Sequence, residues 1–328
     1  MTIGEFELIN KYIKPLAADA PPALGLNDDA ALIKSKSNEN YIVSKDVFVE
    51  NVHFLRKEDP FDIATRLMTA NLSDIAASGS LPKYYLLGLV YDKNLDEIFY
   101  QRFAEGLKYI QNLYDIKVIG GDTVKCNKDL MFSLTIFGTS NGDKILRTDQ
   151  AKIDDEIFVT GKIGDSFLYT NHLLGNHQDL NFTDQELGYL KESFYRKKIN
   201  HEFMNEMLIS GFCQCATDIS DGLIIDLENI CRSSRVSALL NSKSIKFSEI
   251  ALDLINKGLY NLEDYITGGE DFELIFTAQQ KYKKEILKLA KSFKVELNCI
   301  GKVNKIDVVP AISFYDTNIK LNKKGYEH

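Results

Sequence analysis

Apolar residues recur at helical spacing through Ile63, Leu67, Met68, Leu72 and Ile75, behind a Pro60-Phe61-Asp62 start, and this predicts a helix. Ile98, Phe99, Phe103, Leu107 and Ile110 predict a second helix, and Phe6, Leu8, Ile9 and Ile13 a short opening one. Tyr41 to Val49 alternates as a strand does, Tyr84 to Tyr91 reads as a buried strand, Lys117 to Ile119 as a short strand and Met131 to Gly138 as a longer one. After Arg147 the pattern restarts. Strands are expected at 156–160, 212–217 and 272–277, with two late ones near 296–300 and 307–312. Gly161 to Ser166 turns into a helix, and further helices are expected at 222–232 and 282–293.

Strands and helices are mixed without a regular βαβ period, which predicts an α+β protein rather than a doubly wound sheet. A chain of 328 residues exceeds one average core, so two domains are expected. Gly, Asp, Thr and Lys concentrate between Asn141 and Lys152, and the boundary falls there, giving domains 1–145 and 146–328.

Composition narrows the function classes. With 45% hydrophobic and 26% charged residues, the chain is an ordinary globular protein. A net charge of −8 without a Lys/Arg-rich tract argues against nucleic acid as a partner. The longest apolar stretch, Tyr84 to Tyr91, is too short to span a bilayer, and the N-terminus lacks the pattern of a signal peptide. Five cysteines without a C-x-x-C pair fit a reducing, cytoplasmic setting better than zinc or disulfides. Cys213 and Cys215 read as small buried residues.

The candidate chemistry lies in acids at places where strands or turns meet helices: Asp28-Asp29 after Gly25, Asp46, Asp74, Asp122 in Gly120-Gly-Asp-Thr, Asp218 and Asp221 in Ala216-Thr-Asp-Ile-Ser-Asp-Gly, and Glu270-Asp271 after Gly268-Gly269. Each has a plainer reading. Asp221 could serve only as an N-cap, Gly-Gly-Asp only as a turn, Asp74 as a helix-surface polar residue and Asp28-Asp29 as a loop tip. As a set they point elsewhere. Asp46 and Asp74 sit in apolar segments, where an unpaired carboxylate is costly. Two carboxylates about 4 Å apart repel by roughly 4 kcal/mol at an effective dielectric near 20, so such a group needs cations between its members. Oxygen ligands without His or Cys suit Mg²⁺, which takes phosphate oxygens as further ligands, and the implied chemistry is phosphoryl transfer or phosphate hydrolysis. No Walker A motif is present; Gly161-Lys-Ile-Gly-Asp-Ser is the nearest string and lacks its ending.

These motifs, in this order, resemble those of the thiamine-monophosphate kinases, within the superfamily of aminoimidazole ribonucleotide synthetase, selenophosphate synthetase and a hydrogenase maturation protein. The resemblance rests on Gly4-Glu-Phe-Glu-Leu-Ile, Gly25-Leu-Asn-Asp-Asp-Ala-Ala, Asp46-Val-Phe-Val-Glu-Asn-Val-His-Phe, Asn71-Leu-Ser-Asp-Ile-Ala-Ala, Gly120-Gly-Asp-Thr, Leu146-Arg, Ala216-Thr-Asp-Ile-Ser-Asp-Gly-Leu, Gly268-Gly-Glu-Asp-Phe-Glu-Leu and the final Gly325-Tyr-Glu-His. It spans nearly the whole chain. Asn27 and Asn51 stand where the family has glycine; asparagine tolerates positive φ, but Asn51 alters thiamine affinity if backbone approaches substrate there.

The resemblance implies the two-domain aminoimidazole ribonucleotide synthetase-like fold. Its N-terminal sheet domain binds ATP and Mg²⁺ and pairs in a homodimer, and its C-terminal domain closes over nucleotide and substrate. It implies ATP-dependent phosphorylation of thiamine monophosphate to thiamine diphosphate, with several Mg²⁺ ions and no side-chain general base. The implied metal ligands are Asp29, Ser44, Asp46, Asp74, Asp122, Asp218 and Asp221, with Lys45 as a phosphate contact instead. Gly121, Asp122, Arg147 and Ser220 are implied ATP contacts, Arg147 having a solvated linker charge as its alternative. His53, Glu270 and Tyr326 are implied to shape the thiamine site. A sibling enzyme with another substrate, a magnesium phosphohydrolase and a nucleotide-binding regulatory protein remain as other readings.

Overall fold

The computed structural model describes residues 8–22, 33, 39–92, 94–142, 144–176, 180–306, 309–317, 321 and 325. Gly25 to Asp29, the Gly4-Glu-Phe opening and Tyr326 lie outside the described residues. The chain divides into two compact units, 1–75 with 80–143 and 76–79 with 144–328. Helices and mixed sheets in both make it α+β, as the irregular alternation predicts.

The N-terminal unit is a four-stranded sheet in the order β1-β4-β2-β3. Its strands are β1 (Glu39–Val49), β2 (Leu81–Asp92), β3 (Lys117–Cys126) and β4 (Met131–Asn141). β1 and β2 flank β4 antiparallel, and β3 runs parallel to β2 after the crossover helix Glu97–Tyr114. That helix is capped by Asp96, whose carboxylate accepts from the Phe99 amide. The helix Pro60–Ala77 buries Leu67, Met68, Leu72 and Ile75, while Phe103 of the crossover helix packs its ring 4.5 Å from that of Phe132 on β4. Burying each such side chain contributes about 1.5–3 kcal/mol.

Tyr84 to Tyr91 is not buried on both faces. Tyr85, Leu87, Leu89 and Tyr91 are buried and their neighbours are half-buried, because the helices cover one face of the sheet. The other face leaves Val43, Val47, Val124 and Met131 exposed. The opening apolar residues form a π-helical turn, Ile9–Ile13, and a 3₁₀ turn, Lys14–Ala17, instead of one regular helix.

The C-terminal unit has a six-stranded sheet in the order β10-β7-β9-β5-β8-β6. Its strands are β5 (Glu156–Thr160), β6 (Cys215–Asp218), β7 (Ser237–Leu240), β8 (Leu274–Ala278), β9 (Leu297–Asn304) and β10 (Ile312–Phe314). β6 is shorter than the expected 212–217 strand. Helices at Asp184–Tyr195, His201–Ile209, Glu249–Asn256 and Leu262–Ile266 add to those the spacing predicts. The helix Leu223–Ser234 packs Leu223, Leu227 and Ile230 into a core with Ile157, Ile275 and Ile300.

Candidate active site

In the N-terminal unit, β1 places Ser44 and Asp46 two residues apart, on the face covered by the Pro60–Ala77 helix. Asp74 comes from the last turn of that helix, and the Ser44 hydroxyl donates to its carboxylate. Burial, then the charge of Asp74, pushes the Asp46 carboxyl up to about 7. Burial also raises Asp74, against the lowering effect of the Ser44 hydroxyl. Asp46 Oδ2 is buried and has no hydrogen-bond partner. A buried acceptor left open beside a second carboxylate and a hydroxyl fits a hard cation such as Mg²⁺. Among the described residues, no group of three or more His, Cys, Asp or Glu stands together as a metal site.

Asp122 does not join that pair by register. It lies opposite Gly88 on β3, whereas Asp46 aligns across the sheet with Leu134, Leu87 and Gly121. Its carboxylate accepts from the Thr123 amide and is exposed. The Gly-Gly-Asp segment is strand, not turn. A side chain at Gly121 would stand 1.9 Å from the Leu87 carbonyl oxygen, so only glycine allows this close pairing. Lys45 points to the opposite face from Ser44, where its ammonium donates to the hydroxyls of Ser133 (2.5 Å) and Thr135 (3.4 Å).

His53 sits in the turn after β1. Its Nδ1 accepts from the Val49 amide at 3.1 Å, which places the proton of the neutral ring on Nε2, and the ring stacks on Phe48 at 5.2 Å. Asn51 holds φ at 63°, the left-handed region that asparagine accepts at the glycine position. Arg56 anchors the same turn. It forks onto Glu50 at 2.6 and 2.7 Å and reaches Asp92 at 2.7 Å, and both carboxyls are held below their usual range by it.

In the C-terminal unit, two motifs are laced together. Glu270 N donates to Ser220 O at 2.7 Å, Phe272 N to Ile219 O at 2.8 Å, and Ile219 N to Glu273 O at 2.7 Å. Gly269 lies so close that a side chain there would be 2.5 Å from Ser220 O. Asp218, Ser220, Asp221 and Glu270 are therefore gathered at the end of β6 and the start of the Leu223–Ser234 helix. Gly325 packs at this corner too: a side chain there would meet Ile225 Cγ2 at 2.4 Å and Asp221 O at 2.8 Å. Arg147 begins the segment beside β6, with its amide donating to Gln214 O, and its exposed guanidinium forks onto Asp149 at 2.9 and 2.6 Å.

Sequence reasoning passed over Asp226. One of its oxygens accepts the amides of Ser220, Asp221 and Gly222, each at 3.1 Å. Burial and then the Asp221 charge raise this carboxyl to about 7 against those bonds. The signal was a carboxylate at a buried position of an otherwise apolar helix face, between Leu223 and Leu227.

Comparison with known proteins gives the class first. The family model described as AIR synthase related protein, N-terminal domain, matches residues 27–140, and the fold agrees. A thiamine-monophosphate kinase of Haemophilus influenzae is 34% identical over 308 residues, covering 93% of this chain and 90% of that protein. The crystal structure of thiamine-monophosphate kinase from Stenotrophomonas maltophilia K279a superposes with a TM-score of 0.83 at 28% identity, covering 95% of this chain and 97% of that one. A structure of AaThiL complexed with AMPPCP and TMP gives a TM-score of 0.77 at 25% identity, covering 99% and 97%. This chain belongs to the thiamine-monophosphate kinase family.

Proposed function

We propose that this protein transfers the γ-phosphoryl group of ATP to thiamine monophosphate, forming thiamine diphosphate. The observation that carries the reading is the half-buried Ser44–Asp46–Asp74 group, with a buried, open carboxylate oxygen, in a chain similar over its full length to a protein named for this activity. The acceptor is a phosphate monoester whose second pKa is about 6, so its oxygen is already anionic at neutral pH. No side chain needs to remove a proton, and catalysis rests on positioning and on neutralising charge. Bound Mg²⁺ would supply that neutralisation between the carboxylates and the phosphates.

Asp46, Asp74 and Ser44 are the magnesium ligands of the N-terminal unit, with Asp29 as a further one and Asp122, which the register keeps apart from them, at a separate position; Asp218 and Asp221 are those of the C-terminal unit. Gly121, Asp122, Arg147 and Ser220 contact ATP, which requires the Arg147 fork to leave Asp149. His53, Glu270 and Tyr326 shape the thiamine site. The packing of Gly325 against Asp221 and Ile225 supports bringing the chain end to the Glu270 corner. Residues 1–145 form the ATP-binding and dimerisation domain and 146–328 the closing domain. The exposed valines of the N-terminal sheet favour a homodimer paired through that face. Among the described residues no helix is long and apolar enough to cross a membrane, and the cysteine pattern, without a C-x-x-C pair, favours a cytoplasmic setting.

The test is product analysis by mass spectrometry after incubation with ATP, Mg²⁺ and thiamine monophosphate. Thiamine diphosphate formed mole for mole with ADP is expected. Phosphate release from ATP without thiamine monophosphate, or no turnover, overturns the reading.

A further inference from the structure

Residues 270–273 carry an unusual load. Glu270 and Phe272 both hold positive φ, 67° and 47°, although neither is glycine. Such conformations cost on the order of 1 kcal/mol or more each and persist only when their surroundings enforce them. The peptide between them carries Asp271, which is fully buried, and both its oxygens accept from the Gly164 amide at 3.0 and 2.9 Å. Glu273 follows, also buried, with one oxygen taken by the Thr160 hydroxyl. Nearby, the carboxylate of buried Asp165 accepts from Ser248 Oγ at 2.5 Å and from Tyr189 OH at 2.8 Å. The cluster thus holds three buried carboxyl groups.

A single ammonium answers them. Lys197, in the segment before the His201–Ile209 helix, places Nζ 2.8 Å from Glu273 Oε1, with its side chain only 12% exposed. Asp271 and Asp165 also act on its charge through space. Lys197 belongs to none of the motifs that mark the site, and its partner Glu273 lies three residues from Glu270. Removing a partner from a buried ion pair leaves an uncompensated charge, so the segment bearing that charge must move or take up a proton.

We infer that Lys197 is a positioning residue: by neutralising the buried Glu273 carboxylate, its ammonium keeps the strained Glu270–Phe272 turn in place and with it the Ser220 loop to which that turn is laced. The substrate contact at Glu270 rests on the kinase reading; the positioning itself does not.

The experiment measures backbone hydrogen exchange, resolved to single residues, in the ligand-free full chain. Lys197→Met keeps the stem and removes the charge. Lys197→Met combined with Glu273→Gln removes both charges of the pair. In Lys197→Met the Glu270 and Phe272 amides are expected to exchange at least tenfold faster than in wild type, while those of Ser237–Leu240 in the same unit stay within twofold. The double variant is expected to return the turn amides to within threefold of wild type. Unchanged turn amides in Lys197→Met overturn the proposal, and so does acceleration that is uniform across the unit. If Lys197→Met does not fold, Lys197→Gln takes its place: turn amides at least tenfold faster than in wild type uphold the proposal, and unchanged turn amides overturn it. Calorimetric titration of the same proteins with thiamine monophosphate reads the kinase assignment separately. Wild-type protein that fails to bind it sinks that assignment and leaves the exchange result standing.

Discussion

Replacing Asp46 by asparagine should make the metal-free protein more stable, and by an amount that depends on pH. In the native chain the Asp46 carboxyl is displaced from 3.8 to about 7, first by burial and second by the charge of Asp74. A raised carboxyl means that the folded chain keeps its proton longer than the unfolded chain does. Stability is therefore undiminished below the unfolded value, falls as pH rises from about 4 to about 7, and stays reduced above that. At about 1.4 kcal/mol per pH unit, the full loss is about 4 kcal/mol at pH 8 and about 1.5 kcal/mol at pH 5. Asparagine removes this titration but leaves a buried amide short of partners, at about 2 kcal/mol. The balance is a gain of about 2 kcal/mol at pH 8 and none at pH 5. With about 2–4 °C per kcal/mol, Tm in EDTA should rise by about 4–8 °C at pH 8 and by nothing measurable at pH 5. Scanning calorimetry at the two pH values is the assay. An equal difference at both, or a metal-free wild type more stable than the variant at pH 8, would refute the argument that burial and like charge strain this site.

Asp74→Asn removes the second carboxylate and should lower kcat by about two orders of magnitude or more at saturating Mg²⁺, with the far-ultraviolet circular dichroism unchanged; a near-wild-type rate contradicts its place at the metal. Light scattering should give a dimer mass at micromolar concentration, and Val43→Asp, on the exposed sheet face, should shift it to monomer. A fully active wild-type monomer would disprove the pairing. Tyr326→Ala should raise KM for thiamine monophosphate by roughly two- to thirty-fold, from about 0.5–2 kcal/mol of stacking on a cationic ring, and leave KM for ATP unchanged. Two unchanged KM values would remove Tyr326 from the site.

What could be read from the chain follows from where local pattern and tertiary environment agree. Strands β1 and β4 were legible because one face of each is less exposed than the other, so the period of two shows directly. The Pro60–Ala77 helix is buried nearly all round, and its period shows because the polar residues between its large apolar ones, Thr65, Thr69 and Asn71, bond to the helix's own carbonyls. Gly120-Gly121-Asp122 favours a turn locally, yet it is strand, because β3 presses against β2 at a point where no side chain fits. Four residues are too few for β7 to declare an alternation. The helix Asp184–Tyr195 had left a trace that spacing alone misses: Thr183 and Glu186 form a capping box. The acids of the candidate site were legible as residue types at motif positions. Their partners were not, because pairing across elements leaves no local pattern: Lys197 meets Glu273 from 76 positions away and Arg56 meets Asp92 from 36.

The role of Asp226 bears on how the C-terminal unit can meet a phosphate. The start of a helix preceded by a glycine-containing loop is where amide groups usually grip phosphate oxygens directly. Here the amides of Ser220, Asp221 and Gly222 already donate to Asp226. An anion arriving at this loop finds those donors occupied. Under the proposed function it would meet Asp218 and Asp221 there, and repulsion between them would require cations between the acids and the phosphate. A Walker-type loop grips phosphate with its backbone and needs glycines and a lysine to do so; this loop commits three of its amides to Asp226 instead, so a phosphate bound here by the proposed enzyme would have to be held through cations and side chains.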